Sequence, residues 1–164
     1  MGRPTVSPRS TPALAALTVA GVSFIVRPYR HDRGAPSYGL EAAAALGVEP
    51  QRVFKTLMAS VDDVLVAAVV PVSGSLDLKA LAQALGGRKA SMAEPMLVQR
   101  RTGYVLGGIA PIGQRQPCRV VIDISALSQD TMLVSGGQRG LDVELAPGDL
   151  IDVTGALTAP IAGP

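Results

Sequence analysis

Lys55 is the residue whose surroundings most invite chemistry. It lies in the run Arg52-Val53-Phe54-Lys55-Thr56-Leu57-Met58, whose apolar residues lack helical spacing and read as a strand. Side chains alternate along a strand, so Val53, Lys55 and Leu57 share one face and aliphatic groups flank the lysine on both sides. An ammonium on an apolar face is costly unless it is partnered or its pKa falls. Either the stem packs while the charge snorkels to water, or a compact, tunable charge is held there for its own chemistry. Positive charge elsewhere is mostly arginine: of 15 basic residues 12 are Arg, and the lysines are Lys55, Lys79 and Lys89.

Two glycine-rich stretches offer chemistry of another kind. The first runs from Thr102 to Gly113. Within it Gly107-Gly108 lets a ligand approach bare backbone, and Pro111 stiffens the loop. Exposed N–H groups there could hold a carbonyl oxygen or a developing oxyanion, unless the segment is a plain wide turn. The second, Ser135-Gly136-Gly137, is expected as a loop between strands at 131–134 and 141–145, with the same two readings and the Ser135 hydroxyl added.

Familiar signatures are missing. The glycine loops lack the Gly-Lys-Ser/Thr ending of a Walker A motif, and Pro111 sits where the helix of a dinucleotide fingerprint should begin. There is no Gly-x-Ser-x-Gly elbow. The single cysteine, Cys118, excludes an internal disulfide framework, and its only candidate base, His31, is remote in sequence. One histidine, in a charged loop and read as solvated, argues against a zinc site and most catalytic triads. Neither metal nor cofactor is expected.

These groups need a scaffold. With 164 residues, 48% hydrophobic and 17% charged, the chain can bury a core as one domain. A net charge of +2 does not by itself indicate nucleic-acid binding. No apolar run reaches a membrane span and no signal-peptide core stands at the N-terminus, so a cytoplasmic protein is expected. Thr11-Pro12, Ser37 and Asp77 each read as a helix start. Val22 to Tyr29 reads as a strand. Asp62-Asp63 turns the Lys55 strand into the apolar run Val64 to Pro71, a hairpin whose second strand should be central. Ser91-Met92-Ala93-Glu94 fits a capping box for a helix over 92–100. Strands follow at 119–124, 131–134 and 141–145, with a short helical turn at 147–149. The expected organisation is a tail over 1–10, one domain over 11–154 and a loose C-terminal tail over 155–164. Early helices and late strands point to an α+β domain with a largely antiparallel sheet, and the high glycine content suits a curved or barrel-like one.

Several stretches together resemble a known family. Thr11-Pro12-Ala13, the Val53 to Leu57 strand, Asp77-Leu78-Lys79, Thr102-Gly103-Tyr104-Val105 with Gly107 to Gly113, Asp123, and Ser135-Gly136-Gly137 with Arg139-Gly140-Leu141 are similar, in order and spacing, to the YbaK/EbsC Cys-tRNA(Pro) deacylases. These are free-standing relatives of the editing domain of bacterial prolyl-tRNA synthetases. The resemblance spans about Thr11 to Leu150. It implies a mixed α+β fold around a largely antiparallel, barrel-like sheet flanked by helices, and a lysine needed for activity, matching Lys55 with Thr56 beside it. It also implies a Gly-x-x-x-Pro loop matching Gly107 to Pro111, with Gly108 beside the first glycine. A tyrosine near the first strand matches Tyr29, Ser135 with Gly136 matches the Ser-Gly-Gly element, and Asp142 falls at a position often acidic.

The resemblance further implies a mischarged tRNA as substrate and prolyl-tRNA synthetase as a candidate partner. It implies substrate-assisted cleavage, in which a cysteinyl thiol attacks its own ester carbonyl. Gly107 and Gly108 would hold the carbonyl oxygen, and Lys55 would meet the terminal phosphate or the leaving ribose oxygen. Two alternatives stand beside it: an Ala-tRNA(Pro) deacylase using water, and a non-catalytic module that binds the synthetase or tRNA.

Overall fold

A polar side-chain cap or a first-turn proline starts each helix, and two aspartates turn the central hairpin. Residues 10–35 and 37–164 are described by the structure, a computed structural model. The expected N-terminal tail lies almost wholly outside them. Helix α1 (Pro12–Ala20) starts where the Thr11 hydroxyl accepts the Leu14 N–H at 3.1 Å. Strand β1 (Ile25–Pro28) follows, then α2 (Tyr38–Leu46), capped by the Ser37 hydroxyl. A 3-10 turn at Pro50–Arg52 leads into β2 (Phe54–Val61). Asp62 and Asp63, both at positive φ, fold the chain into β3 (Val64–Pro71), which pairs with β2 along its whole length. Next come β4 (Ser75–Leu76), α3 (Leu78–Ala84) capped by Asp77, β5 (Ala90–Met92), α4 (Pro95–Thr102) and β6 (Arg119–Asp123). The chain ends with β7 (Met132–Gln138), β8 (Leu141–Leu145), α5 (Pro147–Thr154), β9 (Leu157–Ala159) and β10 (Ala162–Gly163).

The larger sheet has the order β5-β2-β3-β6-β9, so the apolar β3 is its middle strand, as the sequence suggests. A second sheet runs β1-β8-β7, and β10 pairs with β4. The β3–β6 and β6–β9 pairings are parallel and the others antiparallel, which gives the mixed α+β domain. Leu17, Phe54, Met58, Ile122, Met132 and Leu150 belong to one apolar core, Val70, Leu81, Val121 and Ile161 to a second. Val53 and Leu133 lie with Ala42 in a third cluster where the two sheets meet. Among the described residues no helix is long and apolar enough to cross a membrane.

Three local expectations are corrected. Residues 155–164 are not a loose tail: β9 lies along β6, β10 along β4, and Ile161 is fully buried. The physical reason is Asp123, whose Oδ1 accepts the N–H groups of both Ile161 and Ala162 at 2.9 Å. Ser91 does not cap a helix: Ala90–Met92 pairs with β2, and the helix starts at Pro95, whose fixed φ and missing N–H suit a first helical position. Ser135-Gly136-Gly137 is not a loop but part of β7, irregular in register between Ser135 and Gln138, and the chain reverses at Arg139-Gly140.

Candidate active site

The register of β2 opens a gap. One edge of this strand is covered throughout by β3. On the other edge β5 pairs only over Ala59–Val61, and β7 approaches with a single bridge, Val53–Leu133, just before the strand begins. Between these contacts, Phe54 to Met58 line a cavity of about 360 Å³. Phe54, Met58, Val98 and Ile109 give it an apolar wall, and Tyr29, Lys55, Thr56, Ser135 and Asp142 bring polar groups to it.

Lys55 is half-buried and forms no hydrogen bond or ion pair among the described residues. Thr56 is buried, and its Oγ1 also has no partner. Ser135 lines the cavity while its Oγ accepts the Gly137 N–H at 3.1 Å. Asp142 sits on β8 opposite both Ser135 and Arg27. Burial pushes its carboxyl up to about 7, and the Arg27 guanidinium acts in the opposite direction. Tyr29 follows β1, its N–H donating to the Gly140 carbonyl at 2.9 Å. Burial and then the neighbouring Asp142 charge push its phenol up to about 12, so it remains a donor across the working pH range.

The structure thus brings Tyr29, Lys55, Thr56, Gly107, Ser135 and Asp142 around one cavity and leaves three expected residues outside it. The Gly108 N–H is not a free donor, because it donates to the Val105 carbonyl at 2.9 Å and closes the turn that presents Gly107. Gly108 itself packs under the β7–β8 hairpin, where a Cβ would meet the Gln138 and Arg139 backbone at 2.9 Å. Pro111 is buried and lines a separate hollow of about 190 Å³ together with Cys118. Its loop is pinned by the Tyr104 hydroxyl, which donates to the Ile112 carbonyl at 2.8 Å, and by Gln114 Nε2, which donates to the Ala110 carbonyl at 3.0 Å. Gly136 is buried, and its carbonyl accepts the Thr11 hydroxyl, tying α1 to β7.

The single cysteine and the single histidine both lie outside the lining of the main cavity. Cys118 lies in the second hollow, its thiol pushed up by burial. His31 is not solvated as expected: its Nδ1 lies 2.9 Å from Glu41 Oε1 and its ring tilts against Tyr38 at 5.9 Å. Neither residue lines the main cavity. Among the described residues no cluster of three His, Cys, Asp or Glu could hold a metal.

Tyr38 is the contributor that sequence reasoning missed. It lines the cavity, and a Cβ added to Gly107 would stand 2.7 Å from its ring. The Arg139 guanidinium lies 4.8 Å from the ring centroid, and its Nε donates to the Leu106 carbonyl at 2.8 Å. In sequence Tyr38 is only the first residue after a helix cap, and nothing in its neighbours signals a site.

This fold, with its cavity beside a half-covered strand, defines the class. A family model of the aminoacyl-tRNA editing domain matches residues 35–153, and the chain belongs to that family. It is 37% identical over 120 residues to the "Putative Cys-tRNA(Pro)/Cys-tRNA(Cys) deacylase EbsC" of Enterococcus faecalis, covering 73% of each chain. It is 30% identical over 99 residues to the proline–tRNA ligase of Desulforamulus reducens, a match covering 60% of this chain and 17% of that one. Among solved structures, one described as "a putative trans-editing enzyme for prolyl tRNA synthetase" superposes with a TM-score of 0.85 at 25% identity, over 98% of this chain and 100% of the other.

Proposed function

We propose that the protein removes the aminoacyl group from mischarged tRNA in trans, with Cys-tRNA(Pro) as substrate, and that the substrate's own thiol is the nucleophile. The observation that carries this reading is the cavity's composition: among the described residues, Lys55 has no hydrogen-bond or ion-pair partner, the Gly107 N–H has no acceptor, and no cysteine or histidine lines the cavity. An ester bound there meets charge, donors and hydroxyls, but among the described lining residues no thiol and no imidazole to activate a hydroxyl. The similarity to EbsC, whose description names Cys-tRNA(Pro), and to a proline–tRNA ligase supports the choice of substrate and of the synthetase as companion.

In this mechanism the cysteinyl sulfur attacks the ester carbonyl. The new S–C bond forms as the C–O bond to the terminal ribose breaks, and the thiol proton ends on the ribose oxygen. The products are free tRNA and a small thiolactone, which water opens to cysteine. The ring is strained, so attack depends on the substrate being held in a bent, near-attack geometry. The Gly107 N–H faces the developing oxyanion, a contribution of about 3 kcal/mol for one such donor. Lys55 holds its charge at the oxygen-rich 3′ end, against the leaving ribose oxygen and the adjacent phosphate. Ser135, Thr56 and Tyr29 fix the aminoacyl group.

A separate editing step has a physical rationale. A synthetase pocket shaped for proline cannot reject a smaller side chain by more than one group's worth of binding, so discrimination needs a second site. The test is deacylation of Cys-tRNA(Pro) by the wild type and by Lys55→Ala, with circular dichroism as the control for folding. The variant is expected to lose activity by about 100-fold or more while staying folded. A folded variant with near wild-type turnover contradicts the role of Lys55. Faster turnover of Ala-tRNA(Pro) favours water as nucleophile, and tRNA binding without turnover by the wild type favours a non-catalytic module.

A further inference from the structure

Asp123 and Asp142 are both buried carboxyls, exposed by 5% and 6%, and they are treated in opposite ways. Asp123 is saturated. Its Oδ1 accepts the Ile161 and Ala162 N–H groups, and its Oδ2 accepts the Ser125 N–H and hydroxyl. Burial acts to raise its carboxyl, yet those bonds outweigh burial and hold it below the usual range. Asp142 forms no hydrogen bond or ion pair among the described residues. Arg27, opposite it across the β1–β8 pairing, is engaged by Glu144, which also binds Arg52 and Thr131.

A carboxyl removed from water without a partner is costly, and native interiors leave few such groups unpaired. Asp142 is not sealed in a core: it lines the main cavity. Lys55 and Asp142 are the two charged residues among those that line it, opposite in sign, and they form no ion pair with each other. The cavity therefore presents one cationic and one acidic point, the latter drawn to its charged form by a bound cation, on a mostly apolar wall. Its complement is a small ligand that carries an oxygen-rich end and, separately, a cation.

An aminoacyl ester has that pattern, with ribose and phosphate oxygens on one side of the carbonyl and an α-ammonium on the other. We propose that Asp142 is the receptor for the substrate's α-ammonium, so that the site selects aminoacyl groups with a free α-amine over those without one. This assignment rests on the aminoacyl-tRNA reading of the same cavity. The ammonium supplies the hydrogen bonds and charge that the protein withholds from Asp142, and it fixes the rotation of the aminoacyl group about the ester. N-blocked aminoacyl-tRNA and peptidyl-tRNA, which lack that cation, are disfavoured as a consequence.

The test uses two non-cleavable tRNA analogues, one with cysteine joined to the 3′ end by an amide and one with 3-mercaptopropionate in its place. The second keeps the thiol, lacks the amine and is smaller, so a loss of affinity is not a steric clash. The wild type is expected to bind the cysteinyl analogue at least about tenfold more tightly, the usual worth of a charge-assisted hydrogen bond. Asp142→Asn is expected to bind both alike. Equal affinities for the wild type, or a preference that persists in the variant, overturn the proposal, and the wild-type arm suffices alone. Turnover of Cys-tRNA(Pro) is measured in parallel. Turnover without amine-dependent binding sinks this assignment alone, whereas amine-dependent binding without turnover keeps the assignment and sinks the deacylase reading.

Discussion

The Tyr38 ring packs directly against Gly107, so closely that a methyl group on Gly107 would stand 2.7 Å from the ring carbons. Gly107 also holds φ at +85°, where a side chain is strained. Two elements far apart in sequence, the start of α2 and the glycine-rich loop, therefore shape one side of the cavity together. Gly107→Ala is expected to keep the fold, since Gly107 is only half-buried, while the displaced ring and turn misplace the proposed oxyanion donor. We predict a fall in kcat/KM of about tenfold to 100-fold on Cys-tRNA(Pro), read beside circular dichroism. Wild-type kinetics in a folded Gly107→Ala protein would show that this contact does not matter.

Asp142 makes stability depend on pH in a defined direction. Its carboxyl rises from 3.8 to about 7 on folding because of burial. Between those values the folded chain keeps a proton that the unfolded chain has lost, so stability falls as pH rises through this window. Asp142→Asn removes the effect. The variant should gain little at pH 4 and progressively more up to pH 8, towards a limit of roughly 4 kcal/mol at about 1.4 kcal/mol per pKa unit. Urea denaturation at the two pH values measures it, and an offset that does not change with pH contradicts it.

The C-terminal segment should be an integral part of the fold. Asp123→Ala leaves the Ile161 and Ala162 N–H groups without their acceptor next to a fully buried side chain. Each such group costs about 1–3 kcal/mol. A loss of roughly 2–5 kcal/mol in urea is expected, with faster amide exchange in β9 and β10. Since Asp123 does not line the cavity, activity per folded molecule should hold. Unchanged stability would mean that the latch carries no weight.

What the sequence could reveal was local or strongly patterned. Thr11, Ser37 and Asp77 cap the helices they precede, because a short polar side chain before an apolar run has few other uses. The Asp62-Asp63 turn and the central position of β3 follow from an apolar run that must be covered on both faces. Lys55 stands out because its neighbours are aliphatic. What stayed hidden depends on partners remote in sequence. Asp123 draws 161 and 162 into the sheet from 38 and 39 residues away. Gly108 and Pro111 look like ligand-facing loop residues, yet one N–H is taken by Val105 and the proline faces another hollow. Ser135 to Gly137 resembles a loop in composition but pairs as a strand, with one irregularity absorbing the glycines. Tyr38 belongs to the site only because Gly107 and Arg139 meet it in space.

The most direct test is a single-turnover comparison of Cys-tRNA(Pro) and Ser-tRNA(Pro) with the same protein. The two substrates differ only in sulfur for oxygen, so the positioning proposed for Lys55, Gly107 and Asp142 is common to both and the proposed internal nucleophile is not. The account predicts that the cysteinyl ester is cleaved at least about 100-fold faster, as a thiol is much the more readily ionised and more nucleophilic group. Equal rates for the two esters would contradict it.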